Sequence, residues 1–97
     1  MTQPSLAGKV IVVMGGTTGL GLSAARAFVS AGARVVLNGR SPDSAAAAGA
    51  ELGGAAAVVV GDASLSATAD AAIACAVTTF GRLDGLYHVA GGSGRRL

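Results

Sequence analysis

The chain has 97 residues, which bounds it to a single domain with a modest core and marginal stability. Its net charge of +2 comes from scattered basic residues, and with no Trp, one Tyr and two Phe it lacks the basic, aromatic-interleaved surface of a nucleic-acid binder. One Cys and one His exclude an intrachain disulfide and a recognisable zinc site. The opening MTQPSLAG carries no basic n-region, the VIVVM run is too short for a signal h-region, and no uninterrupted apolar run reaches membrane-spanning length. The expectation is a soluble, cytoplasmic chain with neither nucleic acid nor membrane as partner.

In chain order, Val10 to Met14 is a continuous apolar run, as in a parallel strand covered on both faces. From Gly19 the period changes: Leu20, Ala24, Ala27, Phe28 and Ala31 share one helical face, and Gly32 supplies a left-handed cap. Arg34 to Asn38 is a second strand. Ser41, Pro42 and Asp43 then mark a helix start, as N-cap, first helical residue and first-turn acid. That Ala-rich helix runs to about Leu52 and ends at Gly53-Gly54. Ala56 to Val60 is a third strand, closed by Gly61-Asp62. A third helix spans about Ser66 to Phe80, with an apolar face of Ala69, Ala72, Ile73, Ala76, Val77 and Phe80, and Gly81 caps it. Cys75, among Ala and Val, reads as a small buried hydrophobe rather than a reactive thiol. A fourth strand lies within Leu83 to Ala90, and Gly91 to Leu97 is a polar tail, of which 92–97 is expected to be flexible.

Strands alternating with helices across short connections imply a parallel sheet. Right-handed crossovers then give the strand order 3-2-1-4. The fold class is α/β, a three-layer Rossmann-like arrangement with a partial, four-stranded sheet.

The glycines at 15, 16, 19 and 21 are the strongest functional signal. Read from Gly15 they form G-x-x-x-G-x-G; read from Gly19 they form G-x-G-x-x-A through Ala24. The first frame is preferred because its first glycine sits at the strand end. Such a turn must be tight, must admit a pyrophosphate to its backbone, and must let the helix pack near the strand. Free N–H groups and the positive helix end then face the phosphates. Gly15, Gly19, Leu20 and Gly21 are thus candidate cofactor-binding residues, with Thr17 and Thr18 as added hydroxyl donors. The bland alternative is a structural βα turn. A P-loop is excluded, since no Lys-Ser/Thr follows the glycines.

About 20 residues further on, a dinucleotide fold that selects NAD places an acid for the ribose hydroxyls. Here stand Asn38-Gly39-Arg40, with no acid before Asp43. Arg40 could pair instead with a 2′-phosphate, assisted by Asn38 or Ser41. NADP(H) is therefore expected to be preferred, with NAD(H) possible; the alternative is a solvated Arg in a loop.

At this point the chain resembles the short-chain dehydrogenase/reductase family, from Lys9 to about Gly91. Three motifs carry the resemblance: Gly15-x-x-x-Gly19-x-Gly21, Asp62 after the third strand, and Leu86-Tyr87-His88-Val89-Ala90-Gly91 where the family has Asn-Asn-Ala-Gly. Leu37-Asn38-Gly39-Arg40 also resembles members that use NADP(H). The resemblance implies that Asp62, with Ala63 beside it, meets the adenine, and that Ala90 and Gly91 belong to the cofactor site. Asp62 is equally explained as a turn former. Met14 replaces a usual Thr, and His88-Val89 replaces the Asn pair; Val89 cannot supply an asparagine's hydrogen bonds. His88, with no acidic partner in sequence, reads as structural rather than catalytic.

The family's reaction is hydride transfer between the nicotinamide and a small carbonyl or alcohol. It needs a Tyr acid/base beside a Lys four residues later, because a Tyr near its ordinary pKa is a poor acid/base at neutrality. This chain has one Tyr, Tyr87, and one Lys, Lys9, so no Tyr-x-x-x-Lys exists in it and no catalytic residue is named. The resemblance places those residues in the second half of the fold. It implies a truncated first half that is inactive alone, and a homo-oligomeric full-length protein that takes a small-molecule substrate. It also makes the fourth strand interior in the full fold, so its edge is expected to be sticky here. The alternatives are a non-catalytic nucleotide-binding module, one that complements a partner's sheet, or a non-functional fragment.

Overall fold

The computed structural model describes residues 5–89. Four strands and three helices alternate: β1 (Val10–Met14), α1 (Gly19–Ser30), β2 (Arg34–Gly39), α2 (Pro42–Leu52), β3 (Ala56–Val60), α3 (Ser66–Phe80) and β4 (Gly85–His88). A single 3-10 turn, Gly53–Ala55, joins α2 to β3. The strands form one sheet in the order β3-β2-β1-β4, and every pairing is parallel. The strand order expected from crossover handedness is the one observed. β2 is one residue longer than its apolar run, because Gly39 still pairs with Val60.

The central strands supply both cores. Val10, Val12 and Met14 point to one face, where with Val36 they meet Ala72 and Ala76 of α3. Val13, Val35 and Leu37 point to the other, against Ala25 of α1 and Ala48 of α2. Each fully buried Val or Leu contributes about 1.5–3 kcal/mol relative to exposure. The small residues on the helices let backbone and sheet approach closely, which suits a chain poor in aromatics.

The helix ends follow local chemistry. α1 closes in a Schellman motif: Gly32 N–H donates to the Val29 carbonyl and Ala33 N–H to the Phe28 carbonyl, with Gly32 at φ +102°. The Ser41 hydroxyl oxygen accepts from Ser44 N–H at 3.2 Å, capping α2 ahead of Pro42. Gly81 ends α3 in the left-handed region.

Two helix faces differ from expectation. The packing stripe of α1 is Gly21, Ala25 and Phe28, while Leu20 is 78% exposed and Ala27 is also outside. A Cβ on Gly21 would lie 1.9 Å from the Gly15 carbonyl oxygen, so Gly21 must face the strand end. That requirement sets the helix rotation and turns Leu20 outward. On α3, Val77 is exposed because Ala72 and Ala76 make the sheet contact. Cys75 is half-buried against the α3-side core, and its sulfur lies 3.6 Å from the Thr79 hydroxyl. Among the described residues, no helix is long and apolar enough to cross a membrane.

Candidate functional site

The C-terminal ends of β1, β2, β3 and β4 converge, and the loops leaving them surround a pocket of about 430 Å³. Its wall includes Gly15, Asn38, Arg40, Asp62, Ala63 and His88. In an open parallel sheet this is where ligands bind.

The glycine turn forms one lip. Gly15 has φ +79° and Gly19 φ +56°, a region that side-chain-bearing residues rarely adopt. A Cβ on Gly19 would meet nothing within 4 Å, so the turn is open there. The first hydrogen bond of α1 runs from Leu22 N–H to the Thr18 carbonyl, leaving the N–H groups of Gly19, Leu20 and Gly21 without partners inside the helix. Thr18 is the N-cap but makes no side-chain capping bond, and the first turn carries no acid. This contrasts with α2, whose start Ser41 closes. The donors, the positive helix end and the open backbone together fit a pyrophosphate. Leu20, on the same first turn, is exposed.

Thr17 departs from its expected role. Its side chain is buried against Gly39, where a Cβ would fall 2.0 Å from its hydroxyl oxygen. It joins the glycine turn to the end of β2 rather than reaching outward, and of the two threonines only Thr18 is exposed.

Asn38 is a second correction. It is fully buried, and its side-chain amide donates to the Val59 carbonyl at 3.1 Å and the Gly61 carbonyl at 3.0 Å. Its Oδ1 accepts from Gly15 N–H at 3.3 Å, and its backbone carbonyl accepts from Gly16 N–H at 2.7 Å. With both amide hydrogens used, it has no donor left for a 2′-phosphate. One signal pointed to this: a lone amide closing an otherwise apolar strand has to find partners once buried.

Arg40 is exposed on the pocket wall just past β2 and makes no ion pair among the described residues. Asp62 closes the far side. Its Oδ1 accepts from both the N–H and the hydroxyl of Ser64, each at 2.8 Å. Those two bonds hold its carboxyl below the usual range, and the positive field of Arg40 adds to them. Asp62 is thus a turn former and a pocket residue at once. Ser64, unmarked in the sequence reading, is what orients it; the Asp-x-Ser spacing was the available clue.

His88 and Val89 complete the wall. Val89 N–H donates to the Met14 carbonyl at 3.0 Å, and its side chain packs against the core on the α1 side. The backbone thus holds this corner without the amide side chains of the family motif. Ala90 and Gly91 lie outside the described residues. Among those described, no group of three or more His, Cys, Asp or Glu could hold a metal ion.

A parallel sheet with a glycine turn and a polar pocket at its carboxyl end defines a dinucleotide-binding α/β domain. The comparisons agree: a family model of the short chain dehydrogenases matches residues 9–97, and the chain belongs to that family. It is 42% identical over 90 residues to momilactone A synthase of Oryza sativa subsp. japonica, covering 92% of this chain and 33% of that protein. An NADP-dependent (R)-specific alcohol dehydrogenase of Lentilactobacillus kefiri is 49% identical over 49 residues, 50% of this chain and 19% of that one. A 3-ketoacyl-(acyl-carrier-protein) reductase from Brucella melitensis, solved with NADH, superposes with a TM-score of 0.79 at 39% identity, over 84% of this chain and 34% of that one. The chain thus spans about a third of the length of such relatives.

Proposed function

We propose that the pocket binds a nicotinamide dinucleotide with NADP(H) preferred over NAD(H). The observation that carries the preference is Arg40: an exposed guanidinium beside the glycine turn, free of ion pairs among the described residues, with no acid at the tip of β2. A 2′-phosphate at this corner meets Arg40 and the Ser41 hydroxyl. The pyrophosphate lies over Gly15, Thr18, Gly19 and Gly21, with Leu20 against the cofactor, and the adenine end lies by Asp62 and Ala63. The Lentilactobacillus relative, NADP-dependent by name, supports this reading. The Brucella neighbour with NADH keeps the other cofactor in play.

When bound, the dinucleotide supplies a hydride donor or acceptor at its nicotinamide. In a protein of the relatives' length, the proposed activity is oxidoreduction of a small carbonyl or alcohol. With Tyr87 and Lys9 as the only residues of their kinds, these 97 residues hold no Tyr-x-x-x-Lys.

Titration with NADPH and NADH, followed by nicotinamide fluorescence, tests the reading. Arg40→Ala is expected to weaken NADPH about ten- to a hundredfold, the equivalent of a charge-assisted bond of roughly 1.5–3 kcal/mol, and to leave NADH nearly unchanged. An equal loss for both cofactors would remove the assignment of Arg40.

A further inference from the structure

We propose that Asn38 is a positioning residue that sets the spacing between the two lips of the pocket and, through it, dinucleotide affinity. The affinity half rests on the proposed function. Asn38 bonds to both lips at once. On the phosphate side its Oδ1 holds Gly15 N–H and its carbonyl holds Gly16 N–H. On the other side its amide hydrogens hold the Val59 and Gly61 carbonyls, and Gly61 immediately precedes Asp62. The site demands two donors and one acceptor from one short, fully buried side chain. Among side chains of this size only Asn provides them; Asp provides no donor when ionised, Ser one, Leu none. A residue that served stability alone would leave the affinity of the folded fraction untouched.

Asn38→Asp is the discriminating variant. At neutral pH its carboxylate faces two carbonyl oxygens, and the folded variant is expected to bind NADPH about ten- to a hundredfold more weakly than wild type. Burial favours the neutral acid, which regains one donor, so the deficit should shrink as the pH is lowered towards 5. Arg40, Asp62 and His88 are the charged and titratable groups around the same pocket. A folded variant whose affinity matches wild type, or whose deficit is independent of pH, overturns the role of Asn38. A wild type that binds neither NADPH nor NADH overturns the proposed function together with the affinity half of this one.

Because Asn38→Asp can also fail to fold, hydrogen exchange on the wild-type protein gives a second readout. Slow exchange at Gly15 N–H and at the Asn38 side-chain amide supports the clamp, with or without cofactor; exchange at solvent rates overturns it.

Discussion

Gly19 and Gly21 stand two residues apart in one turn, and a side chain would harm each for a different reason. At Gly21 a Cβ would fall 1.9 Å from the Gly15 carbonyl oxygen, a backbone atom that moves only if the turn moves. Gly21→Ala is therefore expected to destabilise the fold at the upper end of the roughly 1–3 kcal/mol typical of overpacking. At Gly19 the space is open and only the positive φ is strained, at about 1–2 kcal/mol, partly offset by a stiffer unfolded chain. Gly19→Ala should fold with a smaller loss and yet bind dinucleotide poorly, because its methyl group occupies the space the phosphates approach. Urea unfolding and NADPH titration of both variants would separate the two roles; equal stability losses would contradict the assignment. The glycine spacing was legible in the sequence, but the division of labour was not, because it depends on which atoms lie opposite each hydrogen. Asn38 shows the same limit. Its place at a strand end beside Arg40 suggested a ligand contact, and only the carbonyls of β3, some twenty residues away, show where its amide is spent.

Elements were easier to foresee than their orientation. Continuous Val and Leu runs, Ala-rich helices and Gly or Ser-Pro punctuation placed every strand and helix near its observed limits. The rotation of α1 was missed because a glycine carries no weight in an apolar pattern, although Gly21 is what sets the contact. A second inter-element tie, invisible to periodicity, joins β4 to β1. Asp84 Oδ2 accepts from Val10 N–H at 2.8 Å, Oδ1 accepts from Arg82 at 2.7 Å, and Asp84 N–H donates to the Val10 carbonyl. The Arg82 bond, then the Val10 bond, hold the Asp84 carboxyl below its ordinary value. A carboxyl depressed in the folded state stabilises it fully above the unfolded Asp pKa of about 3.9, and that contribution is lost as pH falls through the lower folded value. The gap in thermal midpoint between wild type and Asp84→Ala should accordingly be constant near neutrality and narrow below about pH 4. A gap that widens on acidification would show that the Asp84 bonds are not what stabilises this edge. Asp62 and Glu51 are depressed in the same direction, so wild type itself should lose stability over the same acid range.

At the scale of the whole molecule, the two sheet edges differ in how they are covered. On β3, Ala57 and Val59 pack against the α3-side core, so one face of that strand is shielded. β4 has no strand on its outer side among the described residues, and Leu86 and Tyr87 are 54% and 43% exposed. Phe28 meets Tyr87 edge-to-face at 5.6 Å, which covers part of the α1 side. By register with Val12, Leu86 lies on the α3 side. A strand with open backbone groups and apolar side chains on both faces is a template for pairing. The 97-residue chain is therefore expected to self-associate in a concentration-dependent way. Leu86→Lys, which places a charge on the edge without entering either buried core, should shift it towards monomer with the helical circular dichroism unchanged. Multi-angle light scattering across a dilution series reads this directly. A wild-type chain that stays monomeric throughout would mean that the β4 edge is covered by other parts of the chain. A Leu86→Lys protein that associates as strongly as wild type would move the contact elsewhere, with the exposed Val58 and Val60 of β3 as the next surface to charge.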